Sequence, residues 1–230
     1  MEPHWLAILL LTPLPILLAV ALYAWPQRAQ LGPRLLLALM LTGSVATIAY
    51  AGELFGQTLE IKLVWLSFWY VSMNLVPWLM LLLALWHTGR EHWLAPRRIV
   101  LLLAPVVIIL LLYFANPWHH QFYHRFGLDP AGLLPVRTSV RGPLYWVDMA
   151  LVYAYLLATV VLLTGAWRTM PSPYNTQSAV LLLAALAPMI GAGLHLLGVN
   201  AFGYVNFAAL SCLSPASPMR GGFHVTACLT

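Results

Sequence analysis

Long apolar runs separated by short polar connections recur along this chain, and their length predicts helices that cross a bilayer. Runs near Trp5–Trp25, Arg34–Leu54, Val64–Trp86, Ile99–Ala115, Leu144–Trp167 and Ser178–Gly198 suit a hydrocarbon core about 30 Å thick, which needs roughly 20 apolar residues. A seventh run begins near Ala201 and fades by Leu213, about 13 residues and short of a full span. Trp5 and Trp25, Trp65 and Trp86, and Trp146 and Trp167 stand at helix ends, matching an interfacial aromatic belt. Pro13, Pro15, Pro77, Pro105 and Pro188 fall inside spans, which membrane helices tolerate because neighbouring groups satisfy the freed carbonyls. The expected fold is all-α: a polytopic membrane bundle of seven transmembrane helices, the seventh short or truncated. It would occupy residues 1–213 and be followed by an irregular cytoplasmic tail over 214–230.

Composition supports that division. Hydrophobic residues make up 62% of the 230 and charged residues only 7%, so lipid must be the solvent for most of the surface. The net charge of +5 fits arginines beside anionic lipid better than nucleic-acid binding. Cys212 and Cys228 define no disulfide framework, and Met1-Glu2-Pro3-His4 lacks the basic start of a signal peptide. The tail from Ser211, rich in Ser, Pro and Gly, reads as a truncation or frame change.

Arginine placement orients the bundle. The connections after helices 1, 3 and 5 hold Arg28, Arg34, Arg90, Arg97, Arg98 and Arg168. Those after helices 2 and 4 hold Lys62, Arg125, Arg137 and Arg141, a bias of six against four. The positive-inside rule then puts the odd connections in the cytoplasm, the amino terminus outside and the end of helix 7 inside.

Three stretches carry a family likeness. Leu75-Val76-Pro77-Trp78 runs on through Leu83 to Trp86-His87-Thr88-Gly89-Arg90; Asn116-Pro117-Trp118-His119-His120-Gln121-Phe122-Tyr123 follows helix 4; and Gly142-Pro143-Leu144-Tyr145-Trp146-Val147 opens helix 5, ahead of Tyr153-Ala154-Tyr155. In order and spacing the set resembles the amino-terminal seven-helix sensor region of bacterial histidine kinases, also found before diguanylate cyclase modules. The likeness covers about residues 5–210. It implies a sensory input module in the bacterial inner membrane that serves a cytoplasmic kinase or cyclase output domain, and a homodimer is a further expectation. The chain departs from that family at Asn206, where an Asp is usual. It also lacks a phosphoacceptor motif, a nucleotide lid and a Gly-Gly-Asp-Glu-Phe run, so no enzymatic activity is expected.

Ionisable groups inside spans invite a functional reading. Asp148 in helix 5 and His195 near the end of helix 6 share a depth, roughly 5 Å below the outer surface at about 1.5 Å of rise per residue. They are a candidate ligand-gripping or pH-sensitive pair, against the commoner case of two separately solvated groups. Tyr70, Asn74 and Trp78 repeat at i+4 along one face of helix 3, and Tyr155 follows Asp148 at i+7. Such stripes either line a pocket for a small amphipathic ligand or act as interhelical glue. His119, His120 and His124 lack companion ligands for a metal site, and an interfacial anchor suits that segment better. Ala187 and Gly191 have the spacing of close helix packing.

Other classes fit less well. A retinal photoreceptor needs a lysine in the last helix, whereas the sole lysine is Lys62. Facing haem histidines and a His-Glu-x-x-His cluster are absent, so no metal or cofactor is expected. A small transporter or permease is the alternative, although the prolines do not repeat as inverted halves would require. The signal itself, molecular or physical, is not written in these residues.

Overall fold

A computed structural model describes residues 11–129, 135–171 and 174–196. Its helices are α1 (Pro13–Ala24), α2 (Leu31–Phe55), α3 (Leu59–His87), α4 (Pro96–Phe114), α5 (Pro143–Thr169) and α6 (Tyr174–Leu196). Four of them, α2 to α5, are long and apolar enough to cross a membrane, while the apolar stretches Pro13–Gln27 and Asn175–Leu186 are shorter. The seventh span and the tail fall outside the described residues.

The central helix is α3. In its most apolar window 61% of residues are buried inside the bundle, against 17% for α4. Leu79 to Leu83 and Leu85 pack with Leu35 and Leu39 of α2, Val106 of α4, Tyr155 and Leu156 of α5 and Ala185 of α6. The outer face of α4 instead presents Val100, Leu101, Ile108 and Leu111 outward. Such a surface is stable only against lipid, where apolar exposure carries no hydration cost. Gly32 and Gly52 let α2 lie close to α3, because a Cβ at either would enter the ring of Trp86 or Trp65. Pro77 and Pro105 sit within α3 and α4, as the sequence led us to expect.

Two features correct the sequence reading. First, α3 starts at Leu59 and not at Val64, with the Thr58 hydroxyl accepting from the Ile61 N–H at 3.3 Å as an N-cap. Lys62, expected in the connection, is therefore on the helix and 2% exposed. Its Nζ donates to the carbonyls of Glu53 at 2.7 Å and Leu54 at 3.2 Å, closing the end of α2. The charge that looked like a loop signal is a helix cap.

Second, the long connection after α4 is not loop alone. A single helical turn, Asn116–His119, leads into an antiparallel hairpin of β1 (Tyr123–Asp129) and β2 (Val136–Arg141). The register pairs Tyr123 with Arg141 and Asp129 with Val136, with an irregularity between Tyr123 and Arg125. An all-helical expectation missed these strands because seven and six residues of mixed polarity give little period-2 signal.

The hairpin joins α5 tightly. The Gly142 N–H donates to Phe122 O at 2.8 Å and the Leu144 N–H to Gln121 O at 3.2 Å. A Cβ on Gly142 would collide with the Gln121 carbonyl, a backbone group with little room to yield. Gly142→Ala is expected to lower stability by about 1–3 kcal/mol, the usual cost of overpacking. A thermal melt of the micelle-embedded chain measures it, and an unchanged Tm would contradict this joint.

Candidate functional site

Opposite the end that carries Arg28, Arg90, Arg97, Arg98 and Arg168, the hairpin roofs the bundle. Asn116, 7% exposed, organises that roof. Its Oδ1 accepts from the N–H groups of Phe122 at 2.9 Å and Tyr123 at 3.1 Å, and its Nδ2 donates to Tyr123 O at 3.0 Å. One amide thus satisfies three backbone groups where the chain turns back toward the bundle. His119 braces the same turn through Leu112 O at 2.9 Å and the Gln121 N–H at 2.9 Å. Both of its ring nitrogens are engaged in these contacts. Trp118, 86% exposed, points outward as an interfacial anchor would.

The turn drives Phe122 inward until it is wholly buried. Its ring stands edge-on to Tyr70 of α3 and Tyr113 of α4, at 5.7 and 5.8 Å between centroids. Those two tyrosines stack at 4.0 Å and 8°. Tyr123 and Tyr145 complete the nest, 5.9 Å apart, and burial pushes the Tyr123 phenol up from its ordinary value. From outside, Arg137 pins β2 to α2 through Glu53 at 2.7 Å, and the Arg141 guanidinium lies 4.5 Å over Tyr145.

Beneath this aromatic roof lies Asp148, with 0% exposure. The Tyr70 hydroxyl donates to its Oδ2, and the Asn74 side chain also lies within interaction range of the carboxyl. Asn74, 2% exposed, donates to Tyr70 O at 3.2 Å. Among the described residues, Asp148 Oδ1, Asn74 Oδ1 and Trp78 Nε1 are buried without a hydrogen-bond partner. Buried polar atoms of this kind are rare and costly, and two on α3 together with one on α5 mark a site.

Tyr70, Asn74 and Asp148 are therefore brought together, and Trp78 lies one turn further along α3. Tyr155 is not part of the cluster: its hydroxyl donates to Leu102 O at 2.6 Å and ties α5 to α4, the glue reading. The backbone of His195 lies in α6, but its side chain is outside the described ones, so the Asp148–His195 pair is left untested. At the arginine end, His87 of α3 meets Ser178 of α6 at 2.8 Å. No group of three or more His, Cys, Asp or Glu fit for a metal occurs among the described residues. Sequence reasoning missed Asn116, Phe122, Tyr113 and the Glu53–Arg137 pair. Only the run from Asn116 to Tyr123 carries a signal in the sequence.

Comparison with known proteins fits this architecture. The sequence model of the N-terminal 7TM region of histidine kinase matches residues 9–217, and the chain belongs to that family. The family is a sensor region, so the chain is a membrane protein of the sensory input type. No curated protein and no solved structure matches it.

Proposed function

We propose that this chain perceives a signal in the hairpin half of its bundle and passes it to a cytoplasmic histidine kinase or diguanylate cyclase module. The observation that carries this reading is Asp148, held by Tyr70 beneath the hairpin-borne ring of Phe122. An acid buried in a span is a functional element by default, and a roof made of one removable segment gives two states for a signal to bias. The central helix supports transmission, because Tyr70 and Asn74 lie near its middle and His87 meets α6 at its end. The module itself carries out no chemistry, works in a bacterial inner membrane and pairs as a homodimer with its output domain.

The arginine bias sets the hairpin outside and the termini on opposite faces. Reporter fusions after Arg90 and after Asp129 should give cytoplasmic and external signals respectively. The reverse pattern would place the roof in the cytoplasm and end the argument for an external signal. The purified 230-residue chain should neither turn over nucleotide nor autophosphorylate. Either activity would contradict a pure input module.

A further inference from the structure

The unpaired atoms around Asp148 have a chemistry of their own. Its carboxylate lies in a membrane span with no positive partner among the described residues. The cations of the hairpin end have partners of their own: Lys62 the end of α2, Arg137 the Glu53 carboxylate, and Arg141 the faces of Tyr145 and Trp146. An isolated buried carboxylate is among the most expensive groups a protein can hold, and a counter-charge relieves it. Beside it, Asn74 is 2% exposed; its Nδ2 donates to Tyr70 O and also lies within reach of the carboxyl, while its Oδ1 has no donor. The local surplus is thus of oxygen acceptors: Asp148 Oδ1, Asn74 Oδ1 and the Tyr70 hydroxyl oxygen.

We propose that the Tyr70–Asn74–Asp148 cluster binds one compact monovalent cation of the size of sodium. The single carboxylate argues against calcium, whose sites gather six to eight oxygens, commonly from several acids. The absence of thiolate or imidazole among these three residues argues against zinc or copper. Trp78 Nε1, one turn along α3, is a further buried donor without a partner among the described residues. The ion would lock α3 to α5 under the aromatic roof. This inference rests on the same site as the proposed function but concerns binding alone, so the two fail separately: signalling without sodium binding refutes only the ion.

The test uses the full 230-residue chain in lipid nanodiscs, titrated with sodium chloride against choline chloride at constant ionic strength. Sodium should raise Tm saturably, and lower pH should raise the concentration needed, because a proton competes for the same oxygen. Asp148→Asn should abolish the sodium-dependent part. Should that variant not fold, Asn74→Ala keeps the carboxylate and removes one oxygen, and should raise half-saturation about tenfold or more. A pH response that is identical in sodium and choline would overturn the proposal, as would sodium stabilisation undiminished in Asp148→Asn or, where only Asn74→Ala folds, in that variant.

Discussion

Asn116→Ala should destabilise the chain more than any other single truncation at the hairpin end. The substitution strands the N–H groups of Phe122 and Tyr123 and the carbonyl of Tyr123, all three now paired to one side-chain amide. An unsatisfied buried group costs about 1–3 kcal/mol, so the combined loss is roughly 3–6 kcal/mol once partial hydration is allowed for. Phe122 would lose the backbone anchor that holds its ring against Tyr70 and Tyr113, and the roof would open. Hydrogen exchange should report it, with faster exchange over Phe122 and Tyr123 and little change in the middle of α3. Protection unchanged at both amides would show that the hairpin docks through its rings alone.

The second large effect lies in the pair beneath. Tyr70→Phe removes the hydroxyl that donates to Asp148 and leaves a carboxylate oxygen buried without a donor. Hydrogen bonds to charged groups contribute about 1.5–3 kcal/mol, and the loss should fall in that range. Asp148→Asn removes the charge but keeps the shape. Because the two groups share one bond, the double variant should be less destabilised than the sum of the singles by about 1–3 kcal/mol. Additivity to within about 0.5 kcal/mol would mean that the two residues do not act together.

Much of this arrangement was legible in the chain because membrane spans obey a strong length and polarity rule. The apolar runs gave α2 to α5 to within a few residues, except that Lys62 disguised the start of α3. A lysine reads as a connection, yet its long stem lets the ammonium reach the last carbonyls of α2 while the helix continues past it. The i+4 repeat of Tyr70, Asn74 and Trp78 was also legible, since helix geometry alone puts them on one face. What was not legible is which partner meets that face. Tyr70 finds Asp148 across 78 positions, and Arg137 finds Glu53 across 84. No local periodicity encodes such pairings, and Tyr155, equally plausible on spacing, turned to α4 instead. The strands were hidden for a related reason: the start of β1 is held by Asn116, a residue outside them.

Under the proposed function, the Asp148 site sets the state of an output domain. The direct measurement is autophosphorylation of the chain fused through its carboxyl end to a histidine kinase module, reconstituted in vesicles at matched protein density. Asp148→Asn and Tyr70→Phe should each shift the phosphorylated fraction in the same direction. A change of about 1.4 kcal/mol in the balance of two states corresponds to about tenfold. A control substitution at exposed Trp118 should leave the output unchanged. Wild-type output from both site variants, at normal expression and folding, would contradict the claim.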